Sequence, residues 1–169
     1  HDVMVGAHPA YPDLVGFGRR SMNCSTDEII GMVLYQMSAL DGMAKSQGML
    51  MAYVKPHGAL YNDMMAKVEV RKAIMQAVAQ YHRPIKLMLQ ATNESAQHLI
   101  EAQEYDIELL FEAFADRCYD DDGKLLARSK PGAVHNKEKM LAQVKQLNEQ
   151  GTITSVSGKT LNIEADSLC

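Results

Sequence analysis

The chain predicts an α/β fold built on parallel strands, and three observations carry that prediction. Short apolar runs alternate with longer stretches of helical periodicity. One of the runs is apolar almost throughout, as a strand covered on both faces has to be. Polar and titratable residues gather where the runs end. The alternation is compatible with an open sheet and with one closed into a barrel.

The first strand is Val3-Met4-Val5, followed by a loop of Gly, Pro and Arg from Gly6 to Arg20. Ser25-Thr26-Asp27-Glu28 sets a serine three residues before a glutamate, the spacing of a capping box, and Ile29, Val33, Met37 and Leu40 follow at helical intervals. This helix is expected to reach about Gln47 and to close at Gly48. Met49-Leu50-Met51-Ala52-Tyr53-Val54 is the apolar strand, and it runs into Lys55-Pro56-His57-Gly58. A second helix fits Val68 to Tyr81, a third strand Ile85 to Leu89, a third helix Glu94 to Gln103 and a fourth strand Ile107 to Phe111. After Glu112 the rhythm gives way to a polar stretch, Asp116 to Pro131. A helix from about Lys137 to Glu149 and two β-prone runs, Thr152 to Ser155 and Thr160 to Ile163, complete the chain. Asp121-Asp122-Gly123 and Ser157-Gly158 read as hairpin turns.

Composition bounds the rest. The 169 residues, 47% of them apolar, suffice for one substantial core, so a single domain is expected over residues 1–169. The 17 basic and 21 acidic side chains leave a net charge of −4, and neither sign forms a block able to follow a phosphate backbone or an anionic membrane. No nucleic-acid or membrane partner is expected. The longest apolar runs fall far short of the roughly 20 residues that span a bilayer, and the chain does not open with the charged start and apolar core of a leader, so a soluble cytoplasmic protein is expected. Cys24, Cys118 and Cys169 are odd in number and widely spaced, which points to reduced thiols rather than to disulfides or a zinc knuckle. The 12 methionines mostly adjoin Leu, Ile or Val and read as core filling.

His8, Lys55, His57, Gln90 and Glu112 each stand at the C-terminal end of a predicted strand. Parallel strands bring those ends to one edge, where the loops of α/β folds build their sites. Lys55 and His57 are two apart, so a strand that continued through Pro56 would turn both side chains to one face, a cation beside an imidazole suited to an anionic group. For His57 and His8, spacing leaves open both a functional ring and one held by neighbouring carbonyls. Asp13, Asp116, Arg117 and Arg128 lie in loops, where charged residues are ordinarily solvated. Gly16-Phe17-Gly18-Arg19-Arg20 joins flexible backbone to two cations but lacks the order of a P-loop, and Asp120 to Asp122 lacks the spacing of a calcium loop.

Four stretches, in order, give the chain a resemblance. They are Gly6-Ala7-His8-Pro9-Ala10-Tyr11-Pro12-Asp13-Leu14-Val15-Gly16-Phe17-Gly18-Arg19-Arg20, Val54-Lys55-Pro56-His57-Gly58-Ala59-Leu60-Tyr61, Glu112-Ala113-Phe114-Ala115-Asp116-Arg117 and Arg128-Ser129-Lys130-Pro131-Gly132-Ala133-Val134. Together they resemble the LamB/YcsF family over essentially the whole chain. The family's opening Asp-Leu-Asn-Cys-Asp-like strand, its Cys-Gly-Phe-His-Ala-Gly motif and its C-terminal His-Gly-Asp motif have no counterpart in these 169 residues. The resemblance therefore implies an irregular (β/α) TIM-like barrel, a fold of roughly 250 residues, incomplete at both ends. Such a piece is expected to expose sheet edges and to be poorly stable alone or to self-associate as a homo-oligomer.

The activity that the resemblance implies is hydrolysis of the lactam 5-oxo-L-proline to L-glutamate with ATP cleavage, shared with the B and C subunits of a 5-oxoprolinase. An unstrained lactam carbonyl resists water, and phosphorylation of its oxygen would make it a better electrophile. On this basis His8, His57, Glu112 and Asp116 are candidate catalytic residues, and Lys55, Arg117, Arg128, Arg19 and Tyr61 are candidates for binding substrate or phosphate. The family's barrel is also similar to that of polysaccharide deacetylases, where an Asp and two His hold a metal. Here only His8 and His57 could hold a divalent metal, and they are not the His-x-x-x-His pair of those enzymes. A metal-dependent deacetylase or amidohydrolase acting on carbohydrate-related substrates is the alternative that this resemblance implies. A non-catalytic scaffold subunit is the third reading.

Overall fold

The computed structural model describes residues 3–169. The chain forms two compact units, one comprising the described residues up to Leu89 with Leu99–Leu109, the other Gln90–His98 with Leu110–Cys169. The chain passes between them within β3 (Lys86–Gln90) and within α4 (Ser95–Gln103).

In the first unit β1 (Val5–Ala7) pairs in parallel with β2 (Met51–Val54), Ala7 opposite Val54, and β2 pairs in parallel with β3, Val54 opposite Leu87. Helices α1 (Thr26–Ser46), α2 (Gly58–Ala66) and α3 (Val68–Ala79) fill the connections. The capping box is present: Glu28 N–H donates to Ser25 Oγ and Ser25 N–H donates to Glu28 Oε2 at 2.7 Å. The buried stripe Ile30, Val33, Met37 and Ala44 faces inward, and with Met51, Val54, Leu60, Met64, Ile74, Met75, Leu87 and Leu89 it makes the core of this unit. Four of these are methionines, in agreement with a packing role for that residue. Two buried carboxylates tie helix ends into the unit. Asp41 accepts from Tyr81 Oη, Arg83 Nη2 and Lys45 Nζ, and Glu101 of α4 accepts from Arg71 of α3.

In the second unit β4 (Leu109–Ala113) pairs in parallel with β7 (Ser167–Leu168), and β5 (Thr152–Thr154) pairs antiparallel with β6 (Thr160–Asn162) across the Ser157-Gly158 turn. Tyr119 and Leu125 bridge antiparallel over the other expected turn, where the Asp120 carboxylate accepts from Asp122 N–H and Lys124 N–H. Ala91, Ala113, Tyr119, Ile153, Leu161 and Ile163 form its smaller core, flanked by Phe111, Phe114, Leu125 and Leu147. Helix α5 (Lys137–Gln150) lies on the surface with Gln143 as its buried residue.

Three expectations shift. β1 starts two residues later than Val3, because pairing with β2 carries on to Ala7. β2 starts at Met51, since Met49 N–H still donates to Ala44 O at the end of α1. β4 starts at Leu109: Asp106 adopts a left-handed φ of 54° and Ile107 N–H donates back to Ala102 O, which keeps the chain wrapped on α4. Glu112 therefore lies inside β4 rather than beyond it. Helix α2 and strand β7 were not expected at all.

Candidate functional site

At the C-terminal ends of β1 and β2 two imidazoles meet. His8 follows Ala7 directly and His57 precedes α2, and their rings sit edge to face with centroids 4.8 Å apart. His57 Nδ1 lies 2.9 Å from His8 Nε2. The outer nitrogens face carbonyls, His8 Nδ1 at 2.6 Å from Lys55 O and His57 Nε2 at 2.9 Å from Phe17 O. A carbonyl only accepts, so both outer nitrogens carry hydrogen and donate. In neutral rings the two inner nitrogens would then present lone pairs to each other. The 2.9 Å contact becomes a hydrogen bond when one further proton is held between the rings. The carbonyls of Lys55 and Phe17 thus hold both rings, with their inner nitrogens facing each other.

The other candidates of this unit take different places. The strand does not persist through Pro56, so Lys55 and His57 do not share a strand face: β2 ends at Val54, and His57 occupies the N-cap of α2. It is the Lys55 carbonyl that contacts His8. Arg19 is exposed, with its guanidinium 5.5 Å from the centroid of the Phe17 ring, which in turn stands edge-on to His57 at 5.1 Å. Tyr61 is buried in the first turn of α2. Sequence reasoning passed over Asp63, also on α2, whose carboxylate accepts from Tyr11 Oη at 2.9 Å and from Ser21 Oγ and pairs with Lys67. Burial and the Asp63 carboxylate push the Tyr11 phenol well above its ordinary range. The loop between Tyr11 and Ser21 is pinned to α2 at both ends by this one side chain.

In the second unit Glu112 is enclosed in β4, opposite Ser167, with its carbonyl accepting from Ala91 N–H. Asp116 is half-buried in the segment after β4, and its carbonyl accepts from His135 N–H. Arg117 is 8% exposed, and its guanidinium donates to the carbonyls of Leu126 (2.6 Å) and Ala133 (3.4 Å). Burial, and next the charge of Arg128 on the exposed loop, lower its pKa. The Asp116 carboxylate acts on the same guanidinium in the opposite sense. Gln143 was also missed. Its Nε2 donates to the carbonyls of Phe114 (2.7 Å), Ala115 (3.2 Å) and Arg117 (2.9 Å), while its Oε1 lies 3.2 Å from His135 Nε2. A lone polar residue on an otherwise polar helix gives no signal of such a role. Among the described residues no group of three or more His, Cys, Asp or Glu side chains is placed to hold a metal ion, and no helix is long and apolar enough to cross a membrane.

Comparison with known proteins bears on what these clusters are for. The family model described as LamB/YcsF matches residues 1–169. The chain belongs to the LamB/YcsF family. Among relatives, the protein of Vibrio campbellii named as the A subunit of 5-oxoprolinase is 50% identical over 170 residues, spanning 100% of this chain and 67% of its own length. The one of the same name from Pseudomonas fluorescens is 48% identical over 172 residues, spanning 100% and 68%. The solved structure of the lactam utilization protein from Thermus thermophilus superposes with a TM-score of 0.91 at 36% identity, covering 100% of this chain and 68% of that one. The fold is accordingly α/β with parallel strands, of the TIM-like barrel kind expected of LamB/YcsF members, and this chain spans about two thirds of these relatives.

Proposed function

We propose that the chain acts as the A subunit of an ATP-dependent 5-oxoprolinase, hydrolysing 5-oxo-L-proline to L-glutamate. The observation that carries this reading is its identity of about one half, over its whole length, with relatives named as the A subunit of that enzyme. Lactam hydrolysis requires a proton to be delivered to the departing nitrogen and one to be taken from attacking water. The His8–His57 pair is suited to both, because a proton held between His8 Nε2 and His57 Nδ1 can be given up or taken back while the carbonyls of Lys55 and Phe17 keep both rings in register. Within the second unit, taken by itself, Arg117 and Arg128 are assigned to an anionic group such as a phosphate of ATP, with Asp116 and Glu112 as further acid–base groups. Lys55, Arg19 and Tyr61 are assigned to binding near the histidines. ATP is the co-substrate of the assembled enzyme, and the naming of the relatives as one subunit of several supports partners, which we take to be B and C subunits.

The test is 5-oxoproline-dependent ATP hydrolysis by a chain of the relatives' full length mixed with B and C subunits. Activity is expected, and His57→Ala should reduce turnover by about 10²-fold or more. No substrate-dependent hydrolysis with competent partners would overturn the assignment, and near-normal turnover of His57→Ala would overturn the role of the histidine pair.

A further inference from the structure

The loop that contacts His57 is constructed around a single carboxylate. Asp13, itself buried, accepts from Gly16 N–H at 2.9 Å and from Arg20 N–H at 3.3 Å. The Arg20 side chain closes on both carboxylate oxygens, with Nε 3.0 Å from each and Nη2 on Oδ1. The Asp13 carbonyl accepts from Gly18 N–H at 2.8 Å. A ring of bonds therefore encloses residues 13–20, and within it the backbone is strained. Phe17 has a φ of 55°, in the left-handed region that disfavours a non-glycine residue.

The glycines flanking Phe17 make room for the same arrangement. A Cβ on Gly16 would collide with the Asp13 carboxylate and the Arg20 guanidinium. Gly18 is also left-handed, at 66°, and a Cβ there would come within 2.8 Å of Ala10 Cβ and 3.2 Å of the His57 ring. The product of these features is one exposed donor–acceptor contact, from His57 Nε2–H to the Phe17 carbonyl at 2.9 Å. Strain concentrated on a residue whose carbonyl meets a candidate catalytic ring points to function.

We propose that the Asp13–Arg20 clamp is a positioning device: it holds Phe17 left-handed so that its carbonyl fixes hydrogen on His57 Nε2 and turns the bare Nδ1 toward His8. Neither Asp13 nor Arg20 acts on substrate. The inference rests on reading the histidine pair as the proton-transfer group, and it adds the means by which the reactive tautomer is selected. An imidazole whose far nitrogen lacks a fixed acceptor divides between tautomers, and in one of them Nδ1 carries hydrogen and cannot take a proton from His8.

The experiment uses the full-length chain assembled with its partner subunits for turnover, and ¹⁵N NMR of histidine-labelled full-length chain for the tautomer. The wild type is expected to show hydrogen on His57 Nε2. Asp13→Ala and Arg20→Ala are expected to raise the fraction with hydrogen on Nδ1 and to lower kcat by about tenfold to 10²-fold with KM for 5-oxoproline little changed, as misplacement of a reacting group does. Arg20→Lys, which keeps the charge, should recover part of both. Because the contact is made by backbone, Phe17→Gly should outperform Phe17→Val, whose β-branched side chain opposes a left-handed φ. The Phe17 pair leaves the carboxylate in place and so tests the device even if Asp13→Ala does not fold. An unchanged tautomer together with unchanged kcat in Arg20→Ala and Phe17→Val would overturn the inference. An altered tautomer with turnover indifferent to His57→Ala would instead overturn the histidine-pair reading and leave the clamp as a purely conformational device.

Discussion

At the level of single residues, the carboxylates make the molecule sensitive to acid in a defined direction. The Arg20 guanidinium holds the Asp13 carboxyl down at about 2, and Lys45, ahead of Tyr81 and Arg83, depresses that of Asp41 further below the ordinary range. A carboxylate whose folded pKa lies below its unfolded value contributes stability that is complete above the unfolded value, about 4, and is lost as pH falls through the folded one. Thermal melts between about pH 5 and pH 2 should therefore fall steeply, and Asp13→Asn and Asp41→Asn should each flatten that slope. An unchanged slope would mean that these ion pairs do not couple to folding. Lys45, four positions beyond Asp41 on α1, stands at helical pairing distance, but the other partners were not legible in the sequence. Asp13 and Arg20 are seven apart in a loop, Asp41 and Arg83 are separated by 42 positions, and only the chain's path brings them together. His8 and His57 were legible as strand-end residues, because strand ends are where polar side chains survive against an apolar pattern. Their mutual orientation was not, since it is set by backbone carbonyls of Lys55 and Phe17.

Among the elements, legibility followed the strength of the local code. Helix α1 was readable because its cap and its apolar spacing agree, and Ser25→Ala, which removes the side-chain half of the box, should cost about 1 kcal/mol by chemical denaturation. Helix α2 was unreadable for the converse reason. It opens on Gly58 after a histidine that makes no side-chain cap bond, and its buried residues Ala59, Leu60, Tyr61, Asp63 and Met64 are nearly consecutive, leaving no amphipathic stripe to detect. Strand β7 is two residues long and exists by pairing with Glu112 and Ala113, so no local pattern could announce it. The joints between elements are polar and testable. Glu101→Ala would strand the buried Arg71 side chain between α3 and α4 at a cost of about 3 kcal/mol. Gln143→Ala would leave three carbonyls of the segment after β4 without their shared donor. It should cost about 1–3 kcal/mol and raise amide exchange over residues 114–118, whereas unaltered exchange there would show that α5 does not order the segment.

For the molecule as a whole, the two units differ in how much apolar surface they enclose. The first holds the fully buried residues of α1, α2, α3, β2 and β3, while the second rests on a six-residue cluster around Tyr119. Native-state hydrogen exchange should find the most protected amides in the first unit, and equal protection in both would contradict a division by core size. The parallel α/β class was legible from alternation alone, because burial on both faces imposes its composition on a strand whatever the later topology. The division into units was not, since it depends on which buried residues touch. The methionine-rich core has a consequence in redox chemistry. Met4, Met22, Met43 and Met49 meet solvent, whereas Met37, Met51, Met64 and Met75 are sealed from it. Peroxide should convert the first group to sulfoxides while leaving the protein folded, and the second group only as the first unit opens. The sealed thioethers would then record, as added oxygen on their own peptides, every excursion of that unit out of its native state.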